Sequence, residues 1–117
     1  SNLIHADVAA RNLCLSHSKT GIACKLTDFG LSHAMDPNEG AYLLPRGHAV
    51  PIPWTSPECL PCDANFVNSN IYGRGGGKRG QVEVLRMTPA NDVWSFGVTI
   101  WEIECLAATG ELQKPHA

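Results

Sequence analysis

The segment from residue 31 to residue 53 is rich in proline and glycine, which limits the secondary structure that it can form. These residues are Pro37, Gly40, Pro45, Gly47, Pro51 and Pro53. Proline removes a backbone donor and breaks helices, so the stretch can hold neither a long helix nor a central strand. A loop of this length in a compact domain is usually functional or disordered. We therefore expect the regular structure to lie on either side of this loop.

Two short apolar runs before this loop predict a β-hairpin. Residues 13–15 and 22–26 flank the polar turn 16–21, with Thr20-Gly21 near its tip. Apolar runs bounded by polar and glycine residues are typical of paired strands. Residues 28–30 follow the second run directly, and a glycine at position 30 permits backbone angles that let Asp28 project while Phe29 turns into the core.

After the loop, the sequence predicts one short helix and one long one. Ser56 and Pro57 fit a helix start, with proline at the first helical position, and Pro61 would end that helix almost at once. Residues 91–106 are apolar around most of a helical circumference, which is typical of a buried helix. Asn91 or Asp92 can cap its start. A helix this apolar needs more protein around it than 117 residues supply.

Composition excludes several classes of protein. A formal charge of -2 gives no bulk attraction to nucleic acid, and no run approaches the roughly eighteen apolar residues of a membrane span. Five cysteines without a secretory signal favour reduced thiols, and the lone C-x-x-C at 59–62 is a weaker alternative as a zinc site. The chain begins at Ser1 rather than Met, and we expect it to be a piece of something longer.

Residues 61–83 differ in composition from the rest. Their asparagines, glycines and basic residues predict a flexible, solvated loop. Gly75, Gly77 and Gly80 satisfy G-x-G-x-x-G, but no strand leads into them and no helix leaves them, so we interpret the match as spurious. An RNA-contacting segment is the weaker alternative, and we expect no nucleic-acid partner.

Three oxygen-bearing side chains carry the candidate chemistry. Asp7 and Asn12 stand five residues apart on one short loop, and Asp28 comes directly after the hairpin. Carboxylate and carboxamide oxygens hold Mg²⁺ and orient a hydroxyl for attack on phosphorus. In this order they indicate phosphoryl transfer.

Four motifs in sequence point to one family. They are HADVAARN at 5–12, DFG at 28–30, SPE at 56–58 and DVWSFG at 92–97. With them the chain resembles the second half of a protein kinase catalytic domain. The runs AARN, PIPW and WEI, at 9–12, 51–54 and 101–103, are similar to the tyrosine-kinase branch. Residues 28–60 look most like the Syk and ZAP-70 type.

The resemblance implies an α+β fold and a partial kinase C-lobe made of a small hairpin, an activation loop and a buried helix. The whole chain, 1–117, would be part of a tyrosine kinase domain that serves signal transduction. Its implied segments are a catalytic loop at 1–12, an activation segment at 28–58, an atypical glycine-rich insert at 61–83 and the buried helix at 91–106. Nothing here resembles the ATP-binding lobe, so we expect the N-lobe to be absent.

The resemblance also implies a role for particular residues. Asp7 would be the catalytic base, Arg11 would help seat the substrate phenol, and Asn12 and Asp28 would hold Mg²⁺ with the phosphates of ATP. Tyr42 would be phosphorylated on the activation loop. The implied structural residues are His5, Phe29, Gly30, Glu58, which pairs with a later arginine, and Asp92, which holds the catalytic loop.

Some positions depart from the family pattern. Ala6 stands where kinases regulated by loop phosphorylation carry an arginine, which removes the usual partner of a phosphate on Tyr42. Pro53 replaces a usual lysine or arginine, and a buried Glu58 without its arginine would be costly. We expect that the isolated chain neither folds stably nor phosphorylates anything.

Three hypotheses follow. The first is a tyrosine kinase fragment whose complete form transfers phosphate from ATP to protein tyrosine in the cytoplasm, as a soluble kinase or as the cytoplasmic part of a receptor. The second is a pseudokinase or a truncated product that binds partners without catalysis. The third is a mispredicted or pseudogene-derived sequence.

Overall fold

The computed structural model describes residues 2–45, 50–60 and 84–115. Within them the strands are β1 (Leu3–Ile4), β2 (Leu13–Ser18), β3 (Gly21–Leu26), β4 (His33–Ala34), β5 (Tyr42–Pro45) and β6 (Val84–Met87), and the α-helix is α1 (Pro89–Thr109). Short 3-10 helices lie at Ala10–Asn12, Ile52–Trp54 and Pro57–Cys59. The fold is therefore α+β, with small sheets and one long helix.

Strands β2 and β3 form the predicted hairpin. They pair antiparallel from Leu13 opposite Leu26 to Ser18 opposite Gly21, so each strand is longer than its apolar run. Gly21 has φ +133, which only glycine adopts freely, and this explains why the turn ends there. The hairpin has no covered face among the described residues, since Leu15 and Ile22 are 69% and 65% exposed.

Among the described residues of the loop from 31 to 53, regular structure is limited to the short strands β4 and β5 and the start of a 3-10 helix, as the density of prolines and glycines predicts. Strand β4 pairs with β1, and β5 pairs with β6 with Tyr42 opposite Met87. A small apolar core joins these sheets to the loop at 1–12, the predicted catalytic loop: Ile4, Ala6, Leu44, Cys59 and Met87. This core packs Ile4 and Ala6 against Leu44 of β5 and Met87 of β6.

Helix α1 begins two residues earlier than predicted. Pro89 takes the first helical position, and the extended Thr88 precedes it. Asn91 and Asp92 therefore lie in the first turn, and the prediction that one of them caps the helix is wrong. At the other end Gly110 has φ +74 and its N–H bonds to the Leu106 carbonyl, which is a glycine helix stop.

Within the described part of the chain this helix is covered along one face, and the burial of its other faces in a larger protein stays a prediction. A polar stripe on one face is buried: Asn91, Ser95, Thr99 and Glu102. The large apolar residues are exposed instead: Val93, Trp94, Phe96, Ile100, Trp101, Ile103 and Leu106. The buried face is polar because it packs on loops and 3-10 helices, whose backbone groups need hydrogen-bond partners.

The segment 56–59 connects this helix to the rest. Pro57 begins the short 3-10 helix as predicted, but Ser56 does not cap it: the Ser56 hydroxyl and N–H both donate to Asn91 Oδ1, at 3.1 and 2.9 Å. Glu58 is exposed, so the expectation of a buried carboxylate without its partner is also wrong. The glycine-rich insert 61–83 and Cys62 of the C-x-x-C pair lie outside the described residues.

Two further features concern the described part of the chain. No helix in it is both long and apolar enough to cross a membrane. Cys14, Cys24, Cys59 and Cys105 are free thiols.

Candidate active site

The side chains of Asp7, Arg11 and Asn12 converge within the loop that follows β1. Arg11 Nη2 lies 2.5 Å from Asp7 Oδ1, and Asn12 Nδ2 donates to Asp7 Oδ2 at 3.0 Å. Asn12 Nδ2 also donates to the Asp7 carbonyl at 2.7 Å. The 3-10 turn at Ala10–Asn12 produces this convergence, because it turns the chain back over Asp7 within five residues. Asp7 and Asn12 are buried, whereas Arg11 remains exposed.

The backbone before Asp7 is fastened to α1. The Asp92 carboxylate accepts hydrogen bonds from the N–H groups of His5 and Ala6, at 2.8 and 2.9 Å. Ala6 has φ +65, a region that alanine rarely adopts, so these two bonds help to hold a strained turn. His5 adds a local bond, since its Nδ1 accepts from the Asp7 N–H at 3.2 Å.

Asp28 lies two residues after β3, and the residue before it contacts the loop that contains Asn12. The N–H and the hydroxyl of Thr27 both donate to the Asn12 carbonyl, at 2.8 and 3.0 Å. His5 Nε2 lies 3.0 Å from the Thr27 carbonyl. Within the described residues the Asp28 carboxylate bonds neither Asp7 nor Asn12, and it is exposed.

The DFG motif at 28–30 differs from its prediction in two respects. The positive φ, +59, belongs to Asp28 rather than to Gly30. Gly30 serves a different purpose, because its N–H bonds Asp28 Oδ1 at 3.1 Å and a Cβ there would lie equally close to that oxygen. Phe29 is 55% exposed rather than in the core, and its ring meets His5 edge-on at 5.0 Å.

Arg11 also contacts a second group of side chains, in which Glu102 accepts hydrogen bonds from Trp54 and Ala10. Its guanidinium carbon lies 4.3 Å from the centre of the Trp54 ring, a cation–π geometry. Trp54 Nε1 and the Ala10 N–H both donate to Glu102 Oε2, at 2.8 and 2.9 Å. Sequence reasoning assigned no role to Glu102, although this residue lies inside the WEI run at 101–103 that points to the tyrosine-kinase branch.

A cavity of about 150 Å³ adjoins this network. Its lining includes Arg11, Trp54 and Glu102, together with Leu112, Gln113 and Lys114 from the segment after α1. The cavity therefore lies beside the Trp54 and Glu102 side chains, which contact residues 10 and 11.

Tyr42 lies on β5, outside the loop that contains Asp7, Arg11 and Asn12. It is half-buried on β5, and its ring stacks on His33 with centroids 3.9 Å apart and an interplanar angle of 1°. Its backbone position pairs with Met87 of β6. In this arrangement the Tyr42 side chain packs against the small apolar core.

Asn12 and Asp28 are suited to a magnesium ion by the chemistry of their donors. Each offers a hard oxygen, and Mg²⁺ takes one or two protein oxygens while phosphates and water complete its shell. Asn12 donates through its nitrogen, which leaves its carboxamide oxygen for such a role. Within the described residues no group of three or more histidine, cysteine or acidic side chains forms a cage for another metal.

The comparisons with known proteins agree with the motifs. Residues 1–75 match the family described as protein tyrosine and serine/threonine kinase, so the chain belongs to the protein kinase family. Its relatives place it in the tyrosine-kinase branch, as the AARN run predicts.

Three of these relatives are ephrin receptors. The chain is 31% identical over 102 residues to the ephrin type-A receptor 3 of Danio rerio, 32% identical over 104 residues to the ephrin type-B receptor 3 of Homo sapiens, and 33% identical over 102 residues to the ephrin type-A receptor 1 of Homo sapiens. Each match covers 87% of this chain and 8% of the receptor, so the chain spans a small part of these relatives. The nearer likeness to the Syk and ZAP-70 type stays a prediction.

Proposed function

We propose that these residues are part of a protein tyrosine kinase domain, in a parent protein that transfers phosphate from ATP to tyrosine side chains of proteins. The parent protein is the product of the complete reading frame that contains this chain. The observation that carries the proposal is the convergence of Arg11 and Asn12 on the Asp7 carboxylate. Phosphoryl transfer needs such positioning of a proton acceptor more than it needs covalent chemistry.

Asp7 is the base in this proposal. Each of its carboxylate oxygens has two acceptor sites, and Arg11 and Asn12 take one site on each oxygen. The remaining sites can accept the proton of a tyrosine hydroxyl. The bonds from Arg11 and Asn12 fix the orientation of the carboxylate before the substrate arrives, which lowers the entropic cost of reaction.

Arg11, Asn12 and Asp28 complete the proposed site. Arg11 is exposed and flanks Asp7, so it can seat the substrate phenol. Asn12 and Asp28 would hold Mg²⁺ through their oxygens. When bound, Mg·ATP supplies the phosphoryl group and neutralises its developing charge.

The proposed segments follow from these roles. Residues 1–12 are the catalytic loop of a C-lobe, residues 28–58 are the activation segment, and residues 61–83 are an insert. Tyr42 is the proposed phosphorylation site of the activation segment. Tyr42 is half-buried and its ring is stacked on His33, so we expect this ring to leave its stacked position before phosphorylation. The parent's kinase domain would lie in the cytoplasm, where ATP is available.

The test is phosphate transfer by the parent protein with Mg·ATP and a tyrosine-containing peptide. Asp7→Asn keeps the shape but removes the base, and we expect the rate to fall by about 10²–10⁴-fold. Asp36→Asn is the matched control, because Asp36 is an exposed aspartate outside the catalytic loop. Equal activity of Asp7→Asn and the wild-type protein would refute the proposed role of Asp7.

One observation favours a non-catalytic alternative. Ala6 lacks the side chain that would pair with a phosphate on Tyr42, so loop phosphorylation has lost its usual partner. A pseudokinase could tolerate this loss, since it needs only to bind partners. Binding of Mg·ATP by the parent without any transfer of phosphate would favour this reading over the enzyme.

A further inference from the structure

We propose that a phosphate group on Tyr42 releases the activation segment from the loop at 1–12, which is the opposite of the ordering that phosphate usually brings to activation loops. The inference rests on the proposed kinase function and concerns the regulation of the same site. Its starting point is the way in which the segment is held without phosphate. Side chains between residues 31 and 50 pack on Ile4 and Ala6 through apolar contacts.

Ala6 belongs to the small apolar core, at the position where an arginine would otherwise bind the phosphate. Its side chain is 6% exposed, and the same core contains Leu44 of β5 and Met87 of β6. A cavity of about 10 Å³ adjoins these residues, and among the described residues its lining is apolar apart from His33. A space of this size is at the lower limit for one water molecule, so it cannot hold a phosphate group. Apolar burial therefore holds the segment at this position.

The Tyr42 ring is part of the same apolar contact. Tyr42 pairs with the buried Met87 across the β5–β6 sheet, and paired residues project from the same face of a sheet. The ring packs against the small apolar core and stacks on His33 with centroids 3.9 Å apart. These contacts exist only while β5 lies in its place.

Arg86 is the cation on the strand next to Tyr42, but it is turned away from that residue. It pairs with Leu43, and neighbouring residues of a strand project from opposite faces. Its guanidinium lies 3.8 Å from the Glu39 carboxylate. Among the described residues, Tyr42 therefore packs on apolar side chains and on His33, whereas Arg86 lies on the other face of the sheet.

Phosphorylation changes the charge of the Tyr42 ring. A tyrosine kinase transfers the γ-phosphoryl group of ATP to the phenol oxygen: a new O–P bond forms, the bond from that phosphorus to ADP breaks, and the phenol proton passes to the base of the kinase. The product carries a charge of about −1.5 to −2 at pH 7, and such a charge disrupts an apolar contact because of its desolvation cost. A phosphorylated Tyr42 therefore stays in water, and β5 loses the contacts of this ring.

The experiment compares the parent protein with and without phosphate on Tyr42, using phosphotyrosine incorporated at that position during synthesis. The measurement is limited proteolysis, with cleavage between residues 36 and 45 followed by mass spectrometry. We expect this cleavage to be about 10-fold faster in the phosphorylated protein, because proteases cut a segment from its open form. An equal or slower rate in the phosphorylated protein would overturn the proposal.

Phosphotyrosine incorporated in place of Leu43, with Tyr42 unmodified, is the matched control. It places the same charge one residue further along β5, on the face of Arg86, where Leu43 is 41% exposed. We expect cleavage within about 3-fold of the unmodified protein, since exposed positions tolerate charge. An increase as large as that from phosphate on Tyr42 would overturn the role of the apolar contact, because a charge anywhere on the strand would then have the same effect.

Ala6→Arg supplies the cation that this position lacks. Without phosphate we expect faster cleavage than in the wild type, because the guanidinium enters the small apolar core. With phosphate on Tyr42 we expect cleavage to slow again, because the phosphate and the arginine pair. Coupled groups show such non-additive effects, whereas independent ones multiply. A rate equal to the product of the two single effects would overturn the claim that Ala6 decides the response to phosphate.

The outcome for the proposed function is separate. The cleavage rates need no kinase activity, because phosphotyrosine is incorporated during synthesis. If the wild-type parent transfers no phosphate, the proposed function fails, and the cleavage rates still decide whether phosphate releases the segment. If the parent is active, we expect phosphate on Tyr42 to lower kcat by about 10-fold, since the segment must be in place for catalysis. A kcat that rises with this phosphate would overturn the inference and leave the proposed function intact.

Discussion

Arg11 takes part in two interactions at once, an ion pair and a cation–π contact. Its guanidinium pairs with Asp7 Oδ1 and also stacks over the Trp54 ring. A planar, delocalised cation can do both, because stacking leaves its N–H groups free in the plane. An ammonium group cannot, since it is a compact point charge. The position therefore requires arginine rather than any cation.

We predict that Arg11→Lys lowers kcat of the parent protein by about 10-fold, as the loss of a partly desolvated cation–π contact is worth roughly 1–2 kcal/mol. The measurement is steady-state phosphate transfer to a tyrosine peptide. Arg86→Lys is the control, because Arg86 is an exposed arginine on β6 that pairs with Glu39. Equal losses in the two variants would show that the stacking on Trp54 is unimportant.

Cys59 gives a prediction that does not involve catalysis. Its thiol is buried, and desolvation raises its pKa above the ordinary value of 9.0. The folded protein therefore keeps this proton while the unfolded chain loses it, so the stabilisation is present below pH 9 and is lost as the pH rises. At pH 8 we expect iodoacetamide to label Cys59 much more slowly than the exposed Cys14, as measured by mass spectrometry of peptides. Equal labelling rates would contradict the burial.

The sequence predicts the members of the site better than their surroundings. Asp7, Arg11 and Asn12 are close in the chain, so a single turn brings them together. Glu102 reaches them across 92 residues, and no local pattern specifies that contact. The orientation of Phe29 was predicted wrongly for the same reason, because whether a side chain is covered depends on elements elsewhere in the fold.

At the scale of elements, Asp92 joins the first turn of α1 to the catalytic loop. It accepts two backbone N–H bonds at 2.8 and 2.9 Å, from residues 87 and 86 positions away. Both bonds involve a charged acceptor, and the turn that they hold contains Ala6 at φ +65. The helix and the loop therefore support each other.

We predict that Asp92→Ala destabilises the kinase domain of the parent by about 2–4 kcal/mol, since each charge-assisted bond contributes roughly 1.5–3 kcal/mol and water replaces part of it. The thermal midpoint should fall by several degrees, measured by calorimetry. Glu104→Ala is the control, an exposed acidic residue on the same helix. A similar midpoint for both variants would mean that the two bonds contribute nothing to stability.

The hairpin and the β5–β6 sheet show which elements the sequence can predict. The β2–β3 turn connects strands that adjoin in the chain, and apolar runs around a glycine turn are enough to predict it. Strand β5 pairs with the distant strand β6, from Tyr42 opposite Met87, 45 residues on, to Pro45 opposite Val84, 39 residues on. No local pattern in either strand specifies which strand it pairs with. The pairing is set by the rest of the fold, because the register of a strand depends on which of its faces is buried.

At the scale of the molecule, the described residues bury a polar stripe of α1 and leave much apolar surface of that helix exposed. The small apolar core consists of five residues, and seven large apolar side chains on α1 are exposed. A contiguous apolar face on a soluble protein is ordinarily covered by another element or partner. Because the chain belongs to the protein kinase family, we propose that other parts of the catalytic domain cover this face of α1 in the parent protein.

We predict that the isolated 117-residue chain binds the dye ANS, associates into oligomers and shows no cooperative thermal unfolding, because burial of so few apolar residues cannot offset the entropy of folding. Replacing Phe96, Ile100 and Ile103 of the exposed face with charged residues should reduce ANS binding and association, measured by fluorescence and light scattering. The matched control places the same kind of charge at Leu15 and Ile22 of the hairpin, where we expect a smaller reduction. An isolated wild-type chain that is monomeric, binds no ANS and unfolds cooperatively would show that the helix face is covered within the chain itself.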